Sequence, residues 1–212
     1  MRHVMVLNPK GGCGKSTLAT NIAVFFARAG RQVCIADYDE QRSSLDWLAQ
    51  RPADLPPIAG VAAYEDGLRG VARSTDILVI DAPARVHGME LNEMVRRAET
   101  IVVPVLPSSI DMKACAHFIK DLMEIGKVSR KQARVALVAN RVREYTLIYE
   151  ELDQYLAKLK IPYLGCLREA QNYVRAYARG MGVLELPEYL ASPDWAQWEP
   201  IGQWLEGKRS QP

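Results

Sequence analysis

No stretch of this sequence approaches the ~20 consecutive apolar residues that a membrane-spanning helix needs, so no integral membrane association is expected. The apolar run at the start, Met1 to Leu7, meets Asn8 and Pro9 before it is long enough for a signal peptide. Histidine is scarce, with 3 residues far apart, and the 4 cysteines (Cys13, Cys34, Cys115, Cys166) form no C-x-x-C pair. That spacing speaks against a metal site held by cysteine and histidine. Isolated thiols suit a reducing compartment, and a cytoplasmic protein is expected. A charge excess is also missing: the formal net charge is +2. Its distribution is uneven. Lys120 to Arg179 carries 12 Lys/Arg against 7 Asp/Glu, a local excess of +5, while the remainder carries 15 against 18, or −3. This asymmetry suggests a basic face built from the C-terminal half, the alternative being scattered solvated arginines.

What is present is an ordinary globular composition, 49% hydrophobic and 25% charged over 212 residues, which suits one domain spanning residues 1–212. Short apolar runs alternate with amphipathic segments of helix length. Strands are expected at His3–Asn8, Gln32–Asp37, Asp76–Asp81, Thr100–Val105, Arg134–Asn140 and Tyr163–Leu167. Four of them are nearly continuous in Val, Ile, Leu and Ala, the pattern of strands buried on both faces of a parallel sheet. Lys15–Ala29, with Leu18, Ile22, Phe25 and Ala29 on one face and Gly30 as C-cap, reads as a helix. Met112–Ile125, Ile148–Leu159 and Gln171–Arg179 read likewise. The alternation predicts an α/β fold: a doubly wound, mostly parallel sheet flanked by helices, with ligand at the carboxyl ends of the strands. The Pro-rich stretch Arg51–Gly60 reads as a surface loop. The tail Pro193–Leu205 carries Trp195, Trp198, Ile201, Trp204 and Leu205 at helical spacing, and a helix at about 193–206 packed on the domain is expected. A membrane-surface helix is the competing reading, but Asp194, Glu199 and Glu206 on the polar face oppose an anionic bilayer.

The first strand runs into Asn8-Pro-Lys-Gly-Gly-Cys-Gly-Lys-Ser-Thr17. Glycines 11, 12 and 14 let the backbone wrap a phosphate with its N–H groups inward. Lys15 supplies a charge for the β- and γ-phosphates, Ser16 a hydroxyl for Mg²⁺, and the next helix points its N-terminus at the anion. A glycine-rich turn alone carries no chemistry; this order of strand, loop, Gly-Lys-Ser-Thr and helix does. The strict pattern G-x-x-x-x-G-K-[ST] fails only at Pro9, and a second lysine, Lys10, follows it. Asp37 and Asp81 close strands beside the loop, where carboxylates can hold Mg²⁺ through water. Asp39 is the candidate for orienting the attacking water. Each of these aspartates could instead cap a helix or serve a turn.

The loop Lys10-Gly-Gly-Cys-Gly-Lys15-Ser16 resembles the deviant Walker A motif of the ParA/MinD family. Asp37-Tyr-Asp39-Glu-Gln41, Ile77-Leu-Val-Ile-Asp81-Ala-Pro83, Val105-Leu-Pro107-Ser108-Ser-Ile-Asp111 and Ala139-Asn140-Arg141 are similar to further segments of that family, in order over roughly residues 3–180. The resemblance implies an ATP- and Mg²⁺-dependent hydrolase, with Gly11, Gly12, Cys13, Gly14, Lys15, Ser16 and Thr17 at the phosphates and Asn140 and Arg141 toward the adenine. It further implies that Lys10 reaches across an ATP-dependent homodimer to the partner's nucleotide, where a solvated surface lysine is the plain alternative. A positioning machine follows: non-specific DNA (the nucleoid) as the surface, and a cargo adaptor protein that stimulates hydrolysis. DNA contacts are expected to be phosphate contacts, from Lys158, Lys160, Arg168, Arg175 and Arg179. Three classes compete. A MinD-like ATPase would carry a basic membrane-binding tail, an iron-sulfur reductase would need two cysteines meeting at a dimer axis, and a biosynthetic ligase or kinase would need a substrate pocket.

Overall fold

The computed structural model describes residues 1–212. Its strands are β1 (Arg2–Val6), β2 (Val33–Asp37), β3 (Ile58–Ala62), β4 (Ile77–Asp81), β5 (Thr100–Val105), β6 (Arg134–Val142) and β7 (Tyr163–Arg168). Its helices are α1 (Lys15–Arg28), α2 (Ser43–Ala49), α3 (Ala63–Asp66), α4 (Gly88–Arg97), α5 (Ser109–Glu124), α6 (Gly126–Ser129), α7 (Leu147–Lys158), α8 (Gln171–Tyr177) and α9 (Glu188–Glu206). All seven strands are parallel, in the order β3-β2-β4-β1-β5-β6-β7. A parallel sheet must be covered on both faces, and two separate cores do this. One gathers Met5, Leu78, Ile80, Ile101 and Leu137 under α4, α5 and α7. The other gathers Val4, Ile35, Val79, Val102 and Val138 under α1 and α9.

β1 lies between β4 and β5, so the chain winds outward in both directions from it, and the loop after β1 opens at that switch point. In register, Val6 stands beside Asp81, and Asp81 beside Asp37. The two strand-closing carboxylates are therefore set next to each other on the pleat, at the end where β1 gives way to the glycine loop.

Three expectations change. β3 lies partly inside the Pro-rich stretch read as a loop; Ile58 follows Pro56 and Pro57 directly and pairs with Val33. As an edge strand it needs one paired side only, which tolerates weak strand formers such as Ala59 and Gly60. β1 stops at Val6, because Asn8 turns its side-chain amide onto the Pro104 carbonyl at 2.7 Å. α8 ends at Tyr177, two residues before Arg179, where Gly180 takes φ 64.

The tail forms α9, with Trp198, Ile201 and Leu205 buried in the core under the sheet. Trp195 donates its indole N–H to the Val183 carbonyl at 2.9 Å. Arg168 holds the helix bidentately, at 2.7 and 3.1 Å from the fully buried Asp194 carboxylate. The stripe of Trp198, Ile201 and Leu205 on α9 is thus occupied by the protein itself. No helix is long and apolar enough to cross a membrane.

Candidate phosphate and magnesium site

The loop from Asn8 to Gly14 is held at both ends. Asn8 accepts the Lys10 N–H at 2.9 Å, and the Pro9 carbonyl accepts the Arg85 N–H at 2.7 Å. Gly12 and Gly14 take φ 77 and 88, left-handed angles that glycine adopts without strain. At Gly14 a second constraint applies: a Cβ there would overlap the Asn140 side-chain amide. Asn140 itself is buried and donates to the Cys13 carbonyl at 2.8 Å. It reaches the loop from the end of β6, across β5.

The two loop lysines face different ways. Lys15, 7% exposed, donates its ammonium to the Lys10 carbonyl at 3.0 Å and so stays in the mouth of the loop. Lys10 turns out of it and pairs with Asp111 in the first turn of α5 at 3.2 Å. There it lines a cavity of about 660 Å³ between α4 and α5. Ser16 and Thr17 lie half-buried in the first turn of α1. Arg141 is exposed and pairs with Glu169 at 2.8 Å.

Asp37 is fully buried and held by backbone donors: the N–H groups of Asp39 (3.0 Å), Ser44 (3.0 Å) and Leu45 (3.3 Å) all point at its carboxylate. The capping role that its residue type allowed is realised here. Burial raises its carboxyl group above the ordinary range, and those three N–H groups oppose the rise. Asp39 is half-buried and accepts the Gln41 N–H at 3.0 Å.

Asp81 differs. Its Oδ2 accepts the Ser44 hydroxyl at 2.6 Å, while its Oδ1 is buried and has no partner in the protein. A buried acceptor left open beside Ser16, Lys15 and Asp37 is the feature that fits a hydrated cation. The residues therefore suit Mg²⁺, which would supply a positive charge for the β- and γ-phosphate oxygens.

Burial pushes the Asp81 carboxyl from 3.8 up to about 7; neighbouring Asp37 adds to this, and the hydroxyls of Ser44 and Ser16 with the Lys15 charge oppose it. An acid raised on folding binds more protons folded than unfolded, so without metal its contribution to stability falls as pH rises from about 4 to about 7. Asp81→Asn carries no charge. Without Mg²⁺ it should be more stable than the parent at pH 8 by about 2–4 kcal/mol, each pKa unit being ~1.4 kcal/mol. Below about pH 4 the gap should close. Denaturant unfolding at both pH values measures it, and an equal gap at both would contradict this account.

Residues 4–183 match the family model described as the CobQ/CobB/MinD/ParA nucleotide binding domain. The chain belongs to that family. It is 26% identical to the maintenance of carboxysome distribution protein A of Halothiobacillus neapolitanus over 187 residues, 85% of this chain and 86% of that one. It is 27% identical to the chromosome-partitioning ATPase Soj of Thermus thermophilus over 157 residues, 59% of this chain and 63% of that protein. The fold is shared with the MinD cell division protein of Aquifex aeolicus, with a TM-score of 0.73 at 18% identity over 98% of each chain. The family supports a nucleotide-binding ATPase domain here, the coarse reading that the loop itself suggested.

The five basic residues do not form one patch. Lys158 ends α7 and Lys160 precedes β7, which puts both at the amino-end edge of the sheet. Arg175 and Arg179 follow the carboxyl end of β7 and are exposed. Arg168 is tied to Asp194 and is not a free surface cation. The sequence barely marks Ser44. Its only local signal is a hydroxyl in the first turn of a helix, seven residues after Asp37.

Proposed function

We propose that this chain is an ATPase that closes into a homodimer on Mg-ATP and binds DNA without regard to sequence in that state. A partner protein borne by a cargo stimulates hydrolysis and releases it. One observation carries the reading: a glycine loop with two lysines, one turned into its own loop and one turned out of it, beside the open carboxylate oxygen of Asp81. Lys15, the amides of residues 11–17 and the Ser16 and Thr17 hydroxyls bind the phosphates. Ser16, Asp37 and Asp81 hold Mg²⁺, Asp39 orients the attacking water, and Lys10 serves the partner's nucleotide. Asn140 and Arg141 face the adenine. The names of the carboxysome-distribution and chromosome-partitioning relatives support a positioning role, and DNA of the nucleoid is the surface it would use.

Of the basic residues, Arg175 and Arg179 are assigned to DNA, because both are exposed and follow the carboxyl end of β7. Lys158 and Lys160 would meet a duplex only at the other end. Two arginines per subunit give ~4 phosphate contacts per dimer, so affinity should fall on the order of 10²-fold between ~50 and ~200 mM salt. Duplexes of unrelated sequence should bind alike in the ATP state. Arg175→Glu with Arg179→Glu should weaken binding by about tenfold or more and flatten the salt slope, with ATP hydrolysis by the protein alone unchanged. Binding that ignores both the substitutions and the salt would remove DNA from the proposal.

A further inference from the structure

Ser44 is fully buried at the start of α2 and contacts both strand-closing carboxylates. Its backbone N–H donates to Asp37 Oδ2 at 3.0 Å, and its hydroxyl donates to Asp81 Oδ2 at 2.6 Å. The helix that carries it is anchored from the far side of the chain. The Tyr177 hydroxyl donates to the Ser43 carbonyl at 2.6 Å, and the Trp47 indole N–H donates to the Met181 carbonyl at 3.1 Å. Ser44 is therefore a fixed donor, not a mobile one.

A carboxylate on a two-torsion side chain has two equivalent oxygens, and a single strong bond to one of them sets the plane of the other. With Oδ2 taken by Ser44, Oδ1 is the oxygen left without a partner. Besides Ser44, the groups that favour the Asp81 carboxylate are the Ser16 hydroxyl and the Lys15 ammonium, and without Ser44 the carboxylate is free to turn onto either. Either pairing would withdraw a group from the phosphate and metal site.

We propose that Ser44 is the positioning residue of the magnesium site: its hydroxyl holds Asp81 so that Oδ1 is presented to the hydrated ion and Ser16 and Lys15 stay free for ion and phosphate. This rests on the reading that Asp81 serves Mg²⁺. Groups that orient a metal-binding side chain cost 10–100-fold in metal affinity when removed, as a typical range. Ser44→Ala deletes the hydroxyl bond and keeps the N–H to Asp37, so the loop from Asp39 to Arg42 retains its anchor.

The test is a titration of a fluorescent ADP analogue across Mg²⁺ concentrations, which reads binding and not turnover. Ser44→Ala should keep the parent's nucleotide affinity without Mg²⁺ within about twofold and shift the Mg²⁺ midpoint upward by ~10–100-fold. Ser44→Cys fills the same space with a weak donor and should shift the midpoint the same way, which covers the case in which the alanine variant folds poorly. Circular dichroism melting without ligands identifies a folding defect. A folded Ser44 variant with the parent's Mg²⁺ midpoint overturns the proposal. Asp81→Asn in the same assay separates the two levels. If it shifts the midpoint and Ser44→Ala does not, only the role of Ser44 fails. If Asp81→Asn leaves the midpoint unchanged, the metal reading beneath it fails.

Discussion

Lys15→Ala is expected to lose tight ATP binding, by on the order of 10²-fold, because charge-assisted bonds to phosphate are each worth ~1.5–3 kcal/mol. The geometry explains why nothing else can take its place. Lys15 is the cation turned into the loop, at 3.0 Å from the Lys10 carbonyl, and its stem is buried. Lys10 is held on the opposite side by Asp111, and Arg141 is paired with Glu169. The loop amides remain in the variant, as do Gly12 and Gly14 with their left-handed angles, so the fold of the loop should survive. Titration with a fluorescent nucleotide measures the loss. A variant that binds within a few-fold of the parent would place the phosphates elsewhere.

Lys10→Ala should behave in the opposite way: near-normal ATP binding, but no ATP-dependent dimer and no hydrolysis above background. In this structure Lys10 is paired with Asp111 of its own chain, and its side chain is 38% exposed. A pair that exposed contributes only ~0.2–1 kcal/mol. The charge of a triphosphate presented by a second subunit therefore exceeds it, and Lys10 can exchange one anion for another. A cation supplied in trans contributes ~10³–10⁵ in rate in the arginine-finger case. Gel filtration with ATP and a phosphate-release assay read the two losses separately. Mixing adds a finer test, since each nucleotide would be served by its own Lys15 and by the partner's Lys10. A Lys10→Ala subunit paired with a Lys15→Ala subunit restores one complete site, so the mixture should recover some hydrolysis that neither variant shows alone. A Lys10→Ala protein that dimerises and hydrolyses ATP like the parent would reduce Lys10 to a surface lysine.

The sequence by itself determined the parts of this protein whose physics is local. Continuous Val, Ile, Leu and Ala in β2, β4 and β5 can only be buried on both faces, and the alternation with helices then demands a parallel sheet. The turn from β1 into α1 is written in Gly12, Gly14 and the Gly-Lys-Ser-Thr run, because those angles and donors belong to consecutive residues. The local signal of β3 is weak: Ala59 and Gly60 form a strand only because Cys34 and Ile35 of β2 offer a paired edge. Tertiary structure decided everything that joins distant residues. Register alone sets Asp37 beside Asp81, and the anchoring of α2 alone brings Ser44 to 2.6 Å from Asp81. The same holds for the basic residues. Lys158 and Arg175 look equivalent as letters, yet α7 and β7 carry them to opposite ends of the sheet, and Arg168 is drawn into the edge by a buried Asp194. Charge counted along a chain records how many cations there are; the direction of each strand and the partner each cation finds decide which of them remain free at the surface.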